Sequence, residues 1–268
     1  MNLALLRQTL RRNAVRVLVI SAGLVLMGVV MPVMYAAFGE QMSAFIDSVP
    51  FFSQLASSFG GGNIMSLEGS MALAFNHPFT LLLMGILAIA FPALAIAGER
   101  ERGTLEVTLS RPISRRSLLL TLYVAGVIFI VAAVGVLVAT TGITGTAVGF
   151  GDRIDGAHLV GLWLTDALLF ITFMSLAFLV STGADRAAPA IGLPAAVVLL
   201  SYLAWAIGGI WPDVRVLAEW SPFQLLKAQR TLTDGAAVSD LAVMAAAIVL
   251  LAAAAFYRFP RRDLPAPS

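Results

Sequence analysis

Long apolar segments alternate with short polar loops along most of the chain. A helix needs about 20 apolar residues to cross the hydrocarbon core of a bilayer. Six segments approach or exceed that length, at residues 14–38, 78–97, 118–140, 159–181, 188–210 and 239–257. Because lipid offers no hydrogen-bond partner to an unpaired backbone group, each segment is expected to be a helix. The pattern therefore predicts an all-α, polytopic membrane protein in which residues 1–268 form one transmembrane domain with six spans.

Two weaker patterns flank the first of these segments. Leu3, Leu6, Leu10 and Ala14 share one helical stripe, whereas the nearby arginines lie mostly off it. This is typical of a basic amphipathic helix in the membrane interface, and we expect such a helix before the chain turns into the first span. After that span, apolar residues within 41–59 recur at helical spacings, which predicts a second interfacial helix.

The composition indicates that lipid is the main solvent of this chain. Hydrophobic residues make up 59% of it and charged residues only 12%, which is about half the charged share of a soluble domain. The absence of cysteine excludes a disulfide scaffold, a thiolate metal site and a cysteine nucleophile. The basic residues lie at the ends of apolar segments rather than on one face with interleaved aromatic residues, so nucleic-acid binding is not expected.

The distribution of basic residues predicts the orientation in the membrane. Most of the 17 basic residues fall at the N-terminus, after the second span, after the fourth span or at the C-terminus, whereas the long 39–77 loop contains none. Cytoplasmic loops carry an excess of arginine and lysine. We therefore expect a multi-pass protein of the cell inner (plasma) membrane with both termini in the cytoplasm.

The loop between the second and third spans, GERERGTLEVTLSRPISRRS, has the pattern of a short helix. Gly103 breaks the helix of the second span, and Thr104 can cap a new one. Leu105 and Leu109 then share a face, and we expect them to face the cytoplasm or the membrane surface. From the residues alone two interpretations stay open, namely a plain polar connector or a helix whose apolar face docks into a groove of another protein.

The run GERERGTLEVTLSRPISR at residues 98–115 resembles a loop of the type-2 permeases of ATP-binding-cassette (ABC) transporters. In that family the pattern is acidic-x-Glu-x-Gly-Thr-Leu-Glu, followed by Leu-Ser-x-Pro-Ile-Ser-Arg. The resemblance extends to the basic N-terminus, to Leu67-Glu68-Gly69, to Ser221-Pro222-Phe223 and to the six-span plan. The central loop is its most specific part.

The resemblance implies an exporter permease that is coupled to separate ATPases. Two permeases, either two copies of this chain or this chain and a related one, would pair in the lipid bilayer. Two cytoplasmic ABC ATPase subunits would bind them through the loop helix, termed the coupling helix, and a hydrophobic or amphipathic substrate would be moved outward. The residues implied to form or support the coupling element are Glu99, Glu101, Gly103, Thr104, Leu105, Glu106 and Leu109. Arg102 and Val107 occupy variable positions of the pattern.

Nucleotide binding is expected in the ATPase partner, because this chain lacks a P-loop motif. A nucleotide-binding P-loop needs a Gly-Lys-Ser/Thr step, but the only lysine, Lys227, follows a leucine. ATP and magnesium should therefore bind to the ATPase subunits, and this chain is expected to be a transport subunit without catalytic residues or a cofactor of its own. His77 and His158 are expected to be interfacial side chains rather than metal ligands.

Asp166 is the one acid well inside a predicted span, which makes it a candidate for a substrate contact. A structural role is favoured, with a hydrogen bond to Thr165, Thr172 or a neighbouring helix, or with a water-filled vestibule. Two other functions stay open, namely a secondary transporter driven by an ion gradient and an intramembrane enzyme. The single buried acid argues against the first, and the lack of a catalytic set of side chains argues against the second.

Overall fold

The computed structural model describes residues 1–48, 66–110, 113–211, 213 and 215–262. These residues form helices and short connections without a strand, and they contain six helical stretches long and apolar enough to cross a membrane. The principal helices are α1 (Leu3–Ser48), α2 (Leu67–Asn76), α3 (residues 78–101), α4 (Thr104–Leu109), α5 (Arg115–Gly145), α6 (Gly156–Gly183), α7 (Ala187–Ile210), α8 (Arg215–Glu219), α9 (Ala228–Asp234) and α10 (Val238–Arg261). The predicted all-α, six-span fold is confirmed.

The first helix is one uninterrupted element of 46 residues, about 69 Å long at 1.5 Å per residue. The interfacial helix expected at the N-terminus is therefore continuous with the first span, because no glycine or proline interrupts the basic segment. Leu6 and Leu10 pack against the core, whereas Leu3 is exposed. The same helix takes in the start of the helix expected at 41–59, and the remainder of that segment, residues 49–59, lies outside the described part of the chain.

A buried helix, α2, precedes the second span. Most of its ten residues are buried, and the Ser66 hydroxyl caps it by accepting a hydrogen bond from the Gly69 N–H (3.0 Å). His77 adopts an extended conformation that separates α2 from α3, and Pro78 begins α3 because its missing N–H is not needed at a helix N-terminus. A helix this short is below the length of a span, so the hydrophobic pattern placed it in a loop.

The fourth span, α6, is the centre of the bundle. Its most apolar stretch is 67% buried, compared with 28% for α1, 28% for α7 and 11% for α10. Phe170, Met174 and Phe178 of α6 are almost completely buried. The outer helices expose leucine and valine side chains, which are covered favourably by lipid. This radial order explains why the six segments are apolar on nearly every side.

The bundle has two ends, which we name by the chain termini. The terminal side carries α4, the beginnings of α1, α5 and α7 and the ends of α3, α6 and α10. Hydrogen bonds between remote residues join these ends, such as the one from the Asn2 backbone N–H to the Thr121 hydroxyl (3.0 Å). The opposite side carries α2, α8 and α9.

Candidate functional site

A single tight turn joins the end of α3 to α4 on the terminal side. Gly103 has a φ of 68°, a left-handed conformation that a residue with a Cβ adopts only with strain. Its backbone N–H donates to the Arg100 carbonyl (2.9 Å), which closes the turn. Gly103 also occupies the N-cap position of α4, so the cap expected from Thr104 is wrong. Glycine is therefore favoured here by the backbone geometry.

Glu99 joins the two helices that flank this turn. Its carboxylate accepts hydrogen bonds from the Thr104 hydroxyl and from the Arg102 guanidinium, the latter at 3.0 Å. Thr104 also donates to the Glu99 backbone carbonyl (3.1 Å). These bonds hold the first residue of α4 against the last turn of α3.

The apolar face of α4 is turned toward the bundle rather than away from it. Leu105 is 2% exposed within the main core, and Leu109 packs against the same core. The expectation that Leu105 faces the cytoplasm or the membrane surface is therefore wrong, because helices of the same chain cover it, whereas Leu109 is only partly buried. Val107 is 67% exposed and Glu106 is partly exposed. The outward surface of α4 thus centres on Val107, which occupies a variable position in the loop pattern of the type-2 permeases.

Glu101, the last residue of α3, connects this helix to the fifth span. Its carboxylate accepts a hydrogen bond from the backbone N–H of Ala187 (2.9 Å), the first residue of α7. The N-terminus of a helix carries unpaired N–H groups and a partial positive charge, so an acidic side chain is favourable there. The two residues are 86 positions apart, and no local pattern in the sequence indicates the contact.

Arg100 connects the end of α3 to the end of the fourth span. It donates to the Ala184 backbone carbonyl, and its guanidinium lies 3.8 Å from the Asp185 carboxylate. Its side chain is only 9% exposed. The carbonyl groups at a helix C-terminus carry a partial negative charge, and together with Asp185 they offset part of the cost of burying this cation.

Asp185 and two further arginines extend this contact to the third and sixth spans. Arg262 pairs with Asp185 (2.6 Å) and donates to the Thr182 carbonyl (3.2 Å). Arg115 donates to the Arg262 backbone carbonyl (2.6 Å). We call Arg100, Arg115, Asp185 and Arg262 the terminal cluster, which joins the ends of α3, α5, α6 and α10. From the sequence these arginines indicate topology, whereas their convergence on Asp185 depends on the tertiary fold.

A side chain from α6 bonds to backbone groups in the last turns of α3, where the regular helical hydrogen bonding is interrupted. Helix α3 contains π-helical turns at Ile86–Ala90 and Leu94–Gly98, on either side of Pro92. The Ser181 hydroxyl donates to the Pro92 carbonyl (3.1 Å) and accepts from the Ala97 N–H (3.2 Å). It therefore takes the place of a backbone hydrogen bond within α3. Irregular turns of this type are frequent at functional sites.

The acid inside the fourth span has no hydrogen-bond partner among the described residues. Asp166 is completely buried, and neither of its carboxyl oxygens is bonded to them. The hydroxyls of Thr165 and Thr172 donate instead to carbonyls of their own helix, at 2.8 Å each. The hydrogen bond expected from either threonine is therefore not formed. A substrate contact by Asp166 stays a prediction.

The two histidines contact backbone groups on the opposite side. His77 Nδ1 accepts from the Phe79 N–H (3.2 Å), and His158 Nδ1 lies 2.9 Å from the Leu232 carbonyl. Within the part of the chain that the structure describes, no group of three or more His, Cys, Asp or Glu side chains is placed to hold a metal ion. Both histidines thus have local structural contacts.

A comparison with protein families covers almost the whole of this architecture. The family model described as ABC-2 family transporter protein matches residues 8–264. The chain belongs to the ABC-2 transporter family. The match takes in α2 to α10 and most of α1, and it confirms the resemblance that residues 98–115 indicate. No curated protein matches the chain.

Membership of the ABC-2 family defines the general role of the chain. This ABC-2 protein is a multi-pass membrane protein with a permease role in transport rather than a catalytic subunit. ABC-2 permeases generally work with ATPase subunits at the membrane. The family therefore favours a permease over the secondary transporter and the intramembrane enzyme.

Proposed function

We propose that this ABC-2 permease is the membrane-spanning part of an ATP-driven exporter in the inner (plasma) membrane. Two permeases, either two copies of this chain or this chain and a related one, form the transport path. Each binds one cytoplasmic ATPase subunit through α4, the coupling helix. ATP and magnesium bind to the ATPases, and this chain holds no cofactor. The geometry of α4 carries the proposal, because the helix is anchored by Leu105 and exposes Val107 on its other face.

The coupling helix is already folded and fixed in position in the chain without a bound partner. A free helix of six residues is unstable in water. Here Leu105 anchors α4 in the core, and Glu99 holds its first residue. An ATPase groove that accepts Val107 therefore does not have to order the helix, which lowers the entropic cost of binding.

A displacement of α4 reaches several spans through the contacts described above. Glu99 holds α4 to the end of α3, Glu101 links that end to α7, and Arg100 links it to α6. Charge-assisted hydrogen bonds are short and directional. Movement of the coupling helix is therefore passed to the fourth and fifth spans rather than absorbed in a loose loop.

Charge supports a cytoplasmic position for the terminal side. The N-terminal part of α1, the coupling loop and the end of α10 are rich in arginine, and such residues accumulate on the cytoplasmic side of membrane proteins. Both termini and α4 then face the compartment that contains ATP. The apolar side chains exposed on α1, α7 and α10 suit outward movement of a hydrophobic or amphipathic substrate.

The decisive experiment measures ATPase binding by a Val107→Asp variant. Because Val107 is largely exposed, the substitution should leave the fold intact. It places a charge at the centre of the outward face of α4. We expect co-purification of the ATPase that accompanies the wild-type chain to weaken about tenfold or more, as for loss of an interface anchor.

Leu3→Asp provides the matched control for this experiment. Leu3 also lies on the terminal side, is 69% exposed and lies outside α4. Its substitution should leave ATPase binding unchanged. Normal ATPase binding by the Val107→Asp variant, when both variants elute like wild type in size-exclusion chromatography, would overturn the proposed function.

A further inference from the structure

A cavity of about 350 Å³ opens on the terminal side between α1, the end of α3, α4 and the start of α5. Its polar lining consists of Thr9, Arg12, Asn13 and Arg16 from α1 and of Glu99 and Arg102 at the end of α3. Three arginines against one glutamate leave this lining with a net charge of +2. The cavity therefore attracts an anion.

Two of these arginines are available to such an anion. The Arg12 side chain makes no hydrogen bond or ion pair with any described residue, and within the same residues Arg16 donates only to the Asn13 side-chain oxygen (3.2 Å). Arg102, by contrast, is paired with Glu99 (3.0 Å). Arg12 and Arg16 are one helical turn apart on α1, so their guanidinium groups can converge on a single charged group.

The remaining lining is largely apolar and extends toward the membrane. Phe91 and Leu94 precede Glu99 along α3, and Leu118 and Leu122 lie in the first turns of α5. Between Phe91 and Glu99 the helix rises by about 12 Å. Phe91, Leu118 and Leu122 are already buried within the chain, but Leu94 is partly exposed. A hydrocarbon chain is stabilised by covering such a side chain, whereas a small inorganic anion gains nothing from it.

The cavity lies beside a surface of α1 that suits lipid contact. Val15, Leu18 and Val19 are largely exposed apolar side chains on this helix. Arg16 lies between Val15 and Leu18 along this surface, and Arg12 lies one helical turn closer to the N-terminus. Arginines in this position reach the layer of phosphate headgroups and attract anionic lipids.

We propose that this cavity binds one anionic phospholipid from the leaflet on the terminal side. Its phosphate lies between Arg12 and Arg16, and an acyl chain covers the partly exposed Leu94 and the exposed Val15 and Val19. Leu105 of α4 also lines the cavity, so the bound lipid lies next to the coupling helix. The lipid site does not depend on the proposed coupling to an ATPase.

Native mass spectrometry of the purified full chain tests this site, with phosphatidylglycerol as the probe and phosphatidylcholine as the lipid without net charge. The wild-type chain should retain one phosphatidylglycerol under conditions that remove phosphatidylcholine. In the R12Q/R16Q variant we expect the Kd for phosphatidylglycerol to rise about 25-fold, or about fivefold for each arginine removed. The R7Q/R11Q variant is the matched control, because it removes the same charge from exposed positions of α1 outside the cavity.

Three results would each overturn the proposal. The first is an equal loss of lipid binding in the two double variants, and the second is equal retention of the two lipids by the wild-type chain. The third is displacement of phosphatidylglycerol by equimolar inorganic phosphate, which indicates a site for a free anion. Because Arg12 and Arg16 are exposed, normal elution of the R12Q/R16Q variant in size-exclusion chromatography should separate lost binding from lost folding.

Discussion

The two sides of the bundle use charged residues differently. On the terminal side the Arg100 side chain is 9% exposed and bonds to a carbonyl at the end of α6. On the opposite side, Lys227 pairs with Asp240 (2.7 Å) and Arg153 with Glu68 (3.0 Å), but the two basic side chains are 39% and 51% exposed. Exposed pairs contribute little to stability, because water and salt screen them.

The opposite side is closed mainly by apolar burial. Leu67, Met71 and Phe75 of α2 are almost completely buried. Apolar packing resists separation but has no preferred direction, whereas hydrogen bonds to charged groups fix orientation. The difference is consistent with the proposed coupling, in which the terminal side transmits a displacement and the opposite side stays closed.

The largest effect is expected from a charge placed under the coupling helix. Leu105→Asp introduces an unpaired carboxylate into the core, which should lower the free energy of unfolding by about 3–5 kcal/mol. Val107→Asp, on the exposed face, should change it by about 0.5 kcal/mol or less. Chemical denaturation in detergent measures both values. Similar losses in the two variants would show that α4 is not anchored through Leu105.

A smaller effect is expected from removing the hydroxyl between α3 and α6. Ser181→Ala leaves the Pro92 carbonyl and the Ala97 N–H without this partner, which should cost about 1–3 kcal/mol. Thr172→Ala, on the same helix, removes a hydroxyl that bonds only within α6 and should cost about 0.5 kcal/mol or less. The same denaturation measurement compares them. If both variants were as stable as wild type, Ser181 would not contribute to holding the two spans.

The smallest of the three expected differences in the free energy of unfolding is the one between charged residues on the two sides. Arg100→Gln removes a largely buried, charge-assisted bond and should cost about 1–2 kcal/mol. Arg153→Gln removes an exposed ion pair and should cost about 0.5 kcal/mol or less. Thermal unfolding of both variants at low and high salt measures the difference between the two costs. Added salt should change this difference little, because burial limits the screening of Arg100. Equal costs would contradict the distinction between the two sides.

Hydropathy predicts the spans because length and apolar content alone decide whether a helix can cross a bilayer. The short helix of the coupling loop is predictable for a similar reason, since Gly103 marks its beginning locally. Helix α2 is missed because its ten residues are too few for a span, and its burial comes from neighbours remote in sequence. The predicted break between the N-terminal segment and the first span is absent, because an amphipathic pattern does not itself indicate where a helix bends.

Contacts between remote residues account for the rest of the site that sequence could not predict. A stripe of two leucines does not reveal whether its cover is another protein or the same chain, and Leu105 is covered by the same chain. The cap that Glu101 forms on α7 and the convergence on Asp185 depend on how spans are placed side by side. Residue types and spacings along the chain carry no signal for such placements.

Ser181 has a mechanical consequence for the second and fourth spans. Its hydroxyl completes the backbone hydrogen bonding of a neighbouring helix at two points. Sliding one helix along the other would break both bonds together, in surroundings without water to replace them. The two helices are therefore expected to move together. A force applied to the terminal-side end of the second span would then also act on the fourth span.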